Sequence, residues 1–315
     1  MNSVISLVIP IFGLIFLGFF AARMRPHHER GLDWLSTFVL YFALPSLFYK
    51  LLSQTPFEQL TNWPFIIATT TSTFIVFSVT IIISVYVGKA NLDESAIRGT
   101  AAAYGNIGYM GPGIALGALG TAAAVPATLI ICFDNLIFFA AVPFLVALGS
   151  KGKESMWSTA VEIARKVFLH PFIVASFLGV TAAYFQFKAP EPVLKLLDYL
   201  SAAAAPCALF ALGVTIAGQP LRRVSMDIPL LLIAKLILQP ILVFIVLTTF
   251  LEPDPVWLLT AVLLASLPPA ANVFVLATQY GVYIERASST ILIGTIISII
   301  TVTAVLYLIQ ENIIP

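Results

Sequence analysis

Residues 105–113 read Gly-Asn-Ile-Gly-Tyr-Met-Gly-Pro-Gly and lie inside a long apolar run. Proline removes a backbone donor and clashes with the preceding turn, and glycine is weak in helix interiors. A regular helix is therefore not expected to continue through this stretch. A second apolar run, in the other half of the chain, carries Pro268 and Pro269 shortly before Asn272. The two stretches predict one broken helix in each half of the chain.

The composition identifies the solvent around these helices. The chain has 315 residues, of which 60% are hydrophobic and 10% are charged. A soluble domain of this length usually carries about 25% charged residues. Lipid must therefore surround most of the chain, and the spanning elements must be helices that satisfy their own backbone. The net charge of +1 gives no reason to expect a nucleic-acid partner.

Runs of about 20 apolar residues are long enough to cross a bilayer as helices. We place them approximately at 3–22, 32–53, 63–88, 97–118, 122–149, 161–187, 193–217, 228–251, 257–279 and 286–310. The first run has no basic residue before it, which favours a retained helix over a cleaved signal peptide. The prediction is an all-α integral membrane protein with ten transmembrane helices.

Basic residues predict the orientation, because short cytoplasmic loops are rich in lysine and arginine. With the N-terminus outside, the inside loops hold Arg23, Arg25, Arg30, Lys89, Arg98, Lys151, Lys153, Arg165, Lys166, Arg222, Arg223 and Arg286. The outside ends hold Lys50, Lys188 and Lys195, and Lys235 lies within a helix. Both termini are therefore expected on the outer, periplasmic side of a cell inner membrane.

An internal repeat is visible at a fixed offset. Pro10 and the Phe-Leu-Gly ending at Gly18 recur 161 residues later as Pro171 and the Phe-Leu-Gly ending at Gly179. We therefore expect an N-terminal repeat, helices 1–5 in residues 1–160, and a C-terminal repeat, helices 6–10 in residues 161–315. Five helices is an odd number, so the second copy must be inverted, as in many secondary transporters.

The paired interruptions in helices 4 and 9 predict the binding site. In transporters such breaks lie near the midplane, and the freed helix N-termini favour an anion. Side-chain amides beside them could donate and accept hydrogen bonds. The expected substrate-binding residues are Gly105, Asn106, Gly108, Pro112, Asp134, Asn135, Pro268, Pro269 and Asn272. The competing interpretation is that glycine and proline only kink these helices for packing.

Two ionisable residues fall well inside apolar runs. Asp134 and Lys235 would each cost several kcal/mol at the helix centre, about 2.5–3.5 on insertion scales. Such residues usually face a bundle interior, pair with each other or handle ions and protons. We expect Lys235 to support the crossover and Asp134, with Asn135, to face the substrate cavity. A structural ion pair without a transport role remains the alternative. No metal or organic cofactor is predicted, although coupling to H⁺ or Na⁺ is open.

Several segments resemble the auxin efflux carrier family. These segments are Phe42-Ala43-Leu44-Pro45, residues 105–112, residues 269–277 with the following Gln279-Tyr280-Gly281, residues 287–290, and the spacing of Lys235 and Pro240. The resemblance covers essentially the whole chain. The chain lacks the long central loop of many plant auxin exporters, which favours a compact prokaryotic member.

The resemblance implies a scaffold domain of helices 1, 2, 6 and 7 and a transport domain of helices 3–5 and 8–10. It implies that helices 4 and 9 cross at their breaks, that members pair as dimers through the scaffold, and that members carry organic anions. Candidate substrates are malonate, malate or an auxin-like acid, moved by an elevator-type alternating access.

The alternative within this architecture is a sodium-coupled symporter of the bile acid class. An intramembrane enzyme is disfavoured, because the chain has no His-Glu-x-x-His motif and only one deep acid, Asp134. A channel remains possible, and a slow, saturable flux would argue against it.

Overall fold

The computed structural model describes residues 2–24, 29–149, 171–218 and 225–311, together with positions 161, 165, 168 and 169. Its helices are α1 (Asn2–Met24), α2 (Glu29–Phe38), α3 (Leu44–Ser53), α4 (Phe57–Leu60), α5 (Trp63–Tyr86), α6 (Leu92–Ala103), α7 (Gly111–Leu119), α8 (Ala124–Gly149), α9 (Pro171–Tyr184), α10 (Glu191–Gly218), α11 (Asp227–Ile233), α12 (Gln239–Phe250), α13 (Pro255–Ala265), α14 (Asn272–Tyr280) and α15 (Ile284–Gln310). The described residues form no sheet, so the prediction of an all-helical membrane protein is confirmed.

Membrane-crossing length is reached by six described segments: Gly31–Ser53, Phe57–Tyr86, Thr121–Val146, Glu191–Gly218, Asp227–Phe250 and Ile284–Gln310. Three shorter apolar helices, Ile9–Met24, Ile173–Tyr184 and Pro255–Ala265, accompany them. The chain is therefore a multi-pass membrane protein. Six basic residues used for the orientation, Arg25, Lys151, Lys153, Lys166, Arg222 and Arg223, lie outside the described residues.

Both interruptions read from the sequence are present in the structure. The run at 97–118 is divided into α6 and α7, and the run at 257–279 is divided into α13 and α14. The first break falls at the glycines and the second at Pro268 and Pro269. Glycine flexibility and the missing proline donor explain why the backbone leaves the helix at these points.

Two further prolines, Pro45 and Pro240, each follow a short π-helical turn in which the helix widens locally. A π-helical turn, Val39–Ala43, joins α2 to α3 directly before Pro45. A second π-helical turn, Ala234–Leu238, joins α11 to α12 directly before Pro240. Because proline has no N–H for the regular bond, an extra residue can be accommodated in the turn before it.

The helices pack in two groups. In the first group, α1 packs on α10, α3 packs on α9, and α10 packs on α3. In the second group, α5 packs on α6 and α12, α6 packs on α8, and α12 packs on α13. The broken helices α6–α7 and α13–α14 belong to the second group, so its interior contains both interruptions.

Glycines allow the closest approaches within the first group. A Cβ atom on Gly18 would lie 2.1 Å from the Phe210 carbonyl oxygen, and a Cβ on Gly179 would lie 3.1 Å from the Tyr49 carbonyl oxygen. Gly179 follows Gly18 by 161 residues, and Phe210 follows Tyr49 by the same interval. The two contacts are thus related by the offset seen in the sequence.

One end of the second group is held by charged side chains. Arg98 and Glu94 on α6 form an ion pair at 2.5 Å, and the Arg286 guanidinium on α15 lies 3.5 Å from the same carboxylate. The Tyr283 hydroxyl donates a hydrogen bond of 2.6 Å to Asp227 at the start of α11. These contacts tie α6, α11 and α15 together where the three helices begin.

Candidate functional site

The two broken helices meet backbone to backbone at their interruptions. The Asn106 N–H donates to the Pro268 carbonyl at 2.7 Å, and the Ala270 N–H donates to the Tyr104 carbonyl at 2.9 Å. These bonds form an isolated antiparallel bridge between Gly105 and Pro269. We call this region, residues 104–110 and 266–271, the crossover. The bridge satisfies backbone groups that helix geometry would otherwise leave unpaired in lipid.

Two side chains from one membrane-spanning segment donate hydrogen bonds to the backbone carbonyls at the ends of the helices that enter the crossover. The Lys235 ammonium donates to the Ala265 carbonyl, at the end of α13, over 2.6 Å. The Gln239 amide donates to the Ala103 carbonyl, at the end of α6, over 2.9 Å. A helix C-terminus carries partial negative charge, so a cation or a donor there is stabilising.

A cavity of about 480 Å³ lies on one side of the crossover. The polar residues on its wall are Tyr41, Tyr104, Asn106, Tyr109, Asn135, Asn272, Gln279 and Tyr280. Along α8 the wall continues from Asn135 to Pro143, and along α14 it continues from Asn272 to Tyr280. The cavity therefore extends from the crossover toward the side on which α8 and α14 end.

A short chain of hydrogen bonds crosses the wall of this cavity. The Tyr104 hydroxyl donates to the Asn135 carboxamide oxygen, and the Asn272 amide nitrogen donates to the Tyr104 oxygen over 3.3 Å. The Tyr104 ring stacks on Phe138 with centroids 4.5 Å apart. The stacking fixes the ring, so the phenol in turn fixes the orientation of both amides.

Asn106 has the most unusual environment on this wall. Its side chain is 1% exposed, and neither its amide nitrogen nor its carboxamide oxygen has a hydrogen-bond partner among the described residues. A buried amide without partners costs about 1–3 kcal/mol. A polar ligand in the adjacent cavity would remove that cost, which makes Asn106 the strongest candidate for ligand contact.

The wall combines a largely apolar surface with several polar side chains, and it is uncharged. None of the described residues that line this cavity carries a formal charge. Asn272 begins α14, and residues 106–110 lead directly into α7, so the N-terminal ends of two helices lie at the cavity. Helix N-termini carry partial positive charge and bind anions. The arrangement suits a small anion held by amides, phenols and helix ends.

A second, much smaller cavity of about 10 Å³ lies behind the crossover. Asp134 and Gln239 line it together with Thr73 and Lys235. The Thr73 hydroxyl donates to one Asp134 oxygen over 3.3 Å. The other Asp134 oxygen and the Gln239 carboxamide oxygen are buried without a described donor. Its volume is close to that of one water molecule.

The structure therefore separates the expected site residues. Gly105, Asn106, Gly108, Asn135 and Asn272 line the large cavity. Asp134 does not line it, contrary to our expectation, and faces the small cavity instead. Consecutive helical residues project about 100° apart, and here Asp134 points away from the cavity that Asn135 lines.

The remaining expected residues have other surroundings. Pro112 is buried in the first turn of α7, and Pro268 and Pro269 form the backbone bridge; none of the three lines the large cavity. Lys235 lies in the small cavity, 0% exposed. The large cavity is thus lined by no charged residue among those described, and the ionisable residues Asp134 and Lys235 lie behind its wall.

Sequence reasoning missed Tyr104 and Gln239. Tyr104 directly precedes the first break, so its position next to Gly105 was an available signal. Gln239 follows Lys235 by one helical turn within an apolar run, which places both side chains on one helix face. The sequence directs attention to the amides beside the breaks and beside Asp134, and elsewhere only to charged residues at depth, but any buried amide or phenol raises the same question of partners.

Comparison with known proteins gives one family and three relatives. The family described as membrane transport protein matches residues 3–306. A protein of Rhizobium meliloti named "Putative malonate transporter" is 49% identical over 315 residues, covering 100% of this chain and 98% of that protein. An uncharacterized transporter of Methanocaldococcus jannaschii is 24% identical over 94% of this chain and 96% of its own length. An uncharacterized transporter of Methanothermobacter thermautotrophicus is 26% identical over 93% and 94%.

Proposed function

The chain belongs to the membrane transport protein family, which includes the auxin efflux carriers, and from that premise we propose that it carries a small carboxylate across the membrane. The observation that carries the proposal is the uncharged cavity of about 480 Å³ at the crossover, with Asn106 unpaired on its wall. The family and the relatives are transporters, so the chain is a transporter and not an enzyme.

Malonate is the first substrate to test. The relative from Rhizobium meliloti, which matches this chain over its full length, bears malonate in its name. A short dicarboxylate is small enough for the cavity, and its carboxylate oxygens can accept hydrogen bonds from the amides of Asn106 and Asn135. Malate and auxin-like acids are the comparison ligands, because they share the carboxylate and differ in size and polarity.

We propose the ten-helix inverted repeat as the framework for this transport. The paired breaks, the matching glycine contacts and the common offset of 161 residues support it. In this scheme α1, α2–α3, α9 and α10 form a scaffold. The other helices form a transport domain, which contains the crossover and moves as an elevator. Dimerisation through the scaffold, an inner-membrane location and periplasmic termini belong to the same proposal.

With this orientation the structure corresponds to an inward-facing state. The cavity extends toward the ends of α8 and α14, which the basic residues place on the cytoplasmic side. An elevator movement would carry the crossover toward the other side and close the present opening. Probes attached at Lys188 on the first group and Glu252 on the second would change their separation when substrate is added. An unchanged separation during active transport would exclude the elevator scheme.

The deciding experiment is uptake of labelled malonate into proteoliposomes containing the purified protein. Asn106→Ala is expected to weaken malonate binding about tenfold or more, since it removes an unpaired amide from the wall. Asn91→Ala is the matched control, because Asn91 is exposed and its side chain makes no capping bond at the start of α6. Absence of saturable flux for every carboxylate tested would refute carboxylate transport.

A sodium-coupled carrier is the second candidate. It is favoured by the buried oxygens of Asp134 and Gln239, which lie without donors around the small cavity. It is disfavoured by the Lys235 ammonium in the same cavity, since a second cation there would be repelled. Uptake driven by an imposed sodium gradient would support sodium coupling, and equal uptake with sodium or potassium would remove it.

A further inference from the structure

We propose that the large cavity selects a singly charged carboxylate, so that a short dicarboxylate is bound and carried in its once-protonated form. The inference rests on the proposed carboxylate transport and specifies the chemical state of the substrate. The carrying observation is the hydrogen-bond chain through Tyr104, which joins two amides on a wall without formal charge.

A single phenol proton makes the two amides unequal. Tyr104 has one O–H, which it donates to Asn135, so the amide of Asn272 must donate to the phenol oxygen. Asn135 then keeps its NH₂ group, and Asn272 keeps its carboxamide oxygen together with its second N–H. Reversing both amides would exchange the roles and again leave one amide with its whole NH₂ group and the other with a free carboxamide oxygen. The wall therefore presents a donor and an acceptor in either arrangement.

This pairing matches a carboxylate and a carboxylic acid better than two carboxylates. An ionised carboxylate only accepts hydrogen bonds, whereas a protonated one also donates. The NH₂ groups of Asn135 and Asn106 suit the ionised end of the substrate. The oxygen of Asn272 suits an acid O–H and would face the lone pairs of a second carboxylate unfavourably.

The electrostatics of the wall favour one negative charge. Each helix N-terminus is equivalent to roughly half an elementary positive charge. The ends of α7 and α14 together thus balance at most about one negative charge, because the C-terminal ends of α6 and α13 at the same crossover carry the opposite partial charge. No described lysine, arginine or histidine lines the cavity to balance a second. Lys235 lies behind the wall, where it already faces the Ala265 carbonyl and shares its cavity with Asp134.

If the substrate must be protonated, its binding will weaken as the pH rises, and few groups of the protein could produce the same pH dependence by their own titration. The ionisable groups on the described wall are the phenols of Tyr41, Tyr104, Tyr109 and Tyr280. Asp134 and Lys235 lie behind the crossover. A change in their protonation would alter the binding of every anion in the cavity in parallel. Protonation of the ligand would alter the binding of dicarboxylates alone, so the two causes can be separated.

Transport of the once-protonated substrate would couple proton movement to substrate movement without any protein side chain that carries the proton. A dicarboxylate takes up one proton on the side where it binds and releases it after dissociation on the other side. One proton and one dianion therefore cross for each monoanion carried. Asp134 need not shuttle a proton in this scheme, and its replacement by asparagine would leave the proton stoichiometry unchanged.

The test compares three ligands with the purified wild-type protein, each titrated from pH 5.5 to pH 8. Malonate changes between one and two charges, whereas malonamate, its monoamide, and monomethyl malonate keep a single charge. Malonamate also keeps N–H donors where the ester has none. Above the second pKa of malonate, the apparent Kd for malonate should rise about tenfold per pH unit, following the fraction of monoanion.

Malonamate should bind with a Kd that varies little with pH, and more tightly than the ester by about fivefold or more, since it alone can donate to Asn272. Asn272→Leu should remove the preference for malonamate over the ester. A malonate Kd that is as constant as that of malonamate would overturn the proposal. Parallel changes for all three ligands would also overturn it, by assigning the proton to the protein. If none of the three binds at any pH, carboxylate transport itself fails.

Discussion

Lys235 and Gln239 lie one helical turn apart and donate hydrogen bonds to the last turns of two different broken helices. Lys235 reaches the Ala265 carbonyl at the end of α13, and Gln239 reaches the Ala103 carbonyl at the end of α6. Both donors line the small cavity behind the backbone bridge between Gly105 and Pro269. One continuous helix thus stabilises both interruptions, and the crossover depends on its position.

Replacing Lys235 by methionine should destabilise the protein more than replacing Gln239 by leucine. The lysine bond is charge-assisted and fully buried, and its loss leaves the Ala265 carbonyl without a partner. We expect a loss of about 1–3 kcal/mol for Lys235→Met and about 1 kcal/mol for Gln239→Leu. Thermal unfolding in one fixed detergent or nanodisc measures both changes.

Lys195→Met is the control for this comparison, because Lys195 is exposed near the start of α10. It should leave the unfolding temperature nearly unchanged. If Lys235→Met were as stable as Lys195→Met, the carbonyl at the end of α13 would have another partner, and the capping role would be wrong.

Removing the Tyr104 hydroxyl should weaken ligand binding more than it weakens the fold. Tyr104→Phe keeps the ring and its stacking on Phe138, and it removes the link between Asn135 and Asn272. The free energy of unfolding should fall by about 1 kcal/mol. The Kd for the transported anion should rise about tenfold, because both amides lose their fixed orientation.

Titration calorimetry on the purified variant measures that Kd, with Tyr199→Phe as the control on the exposed face of α10. Binding by Tyr104→Phe that equals binding by Tyr199→Phe would mean that the amides are held by other contacts. In that case the donor and acceptor pattern of the cavity would no longer follow from the phenol.

Much of the fold could be predicted from sequence, for identifiable physical reasons. Apolar runs locate the spanning helices because lipid tolerates no exposed backbone. The breaks near Gly105 and Pro269 were visible because glycine and proline act on the backbone locally. Arg98 and Arg286, expected on one side of the membrane from their sequence positions, both lie within 4 Å of Glu94 in the structure.

The division of the site into two cavities could not be predicted. It depends on the rotation of α8 about its own axis, which directs Asn135 to the large cavity and Asp134 to the small one. The hydrogen bond between Tyr104 and Asn272 depends on how two segments that are distant in sequence cross in space, and no local sequence pattern predicts that crossing. Gln239 was overlooked because its partner, the Ala103 carbonyl, is a backbone group exposed only by a break elsewhere.

Alanine at Gly18 or Gly213 should disrupt the contact between α1 and α10. A Cβ on Gly18 would lie 2.1 Å from the Phe210 oxygen, and a Cβ on Gly213 would lie 2.0 Å from the Ile15 oxygen. Neither backbone can be displaced without separating the helices. Each substitution should destabilise the protein by about 1–3 kcal/mol, the usual cost of overpacking. Thermal unfolding of the purified variants measures the change.

Gly13→Ala provides the control on the same helix, since a Cβ there would meet nothing within 4 Å. It should be neutral or stabilise the helix by about 0.5–1 kcal/mol. Equal unfolding temperatures for Gly13→Ala and Gly18→Ala would show that α1 and α10 do not pack this closely.

The Tyr283 hydroxyl should make stability depend on alkaline pH. Burial raises the pKa of Tyr283 above its ordinary range, and the neighbouring Asp227 carboxylate raises it further. A raised pKa in the folded state stabilises the protein fully below the unfolded value, about 10 for tyrosine, and less as the pH rises beyond it. Tyr283→Phe should therefore lose about 1 kcal/mol near neutral pH, where it lacks the bond to Asp227.

The same variant should lose less stability than the wild type between neutral pH and about pH 11, because it has no phenol to ionise at this position. Unfolding temperatures measured across that interval test the difference, with the exposed Tyr86→Phe as the control. Parallel pH profiles for wild type and Tyr283→Phe would show that the hydroxyl does not stay protonated against Asp227. Asp227 at the start of α11 would then be held by Arg98 of α6 and Arg286 of α15, which lie 3.6 and 3.9 Å from its carboxylate.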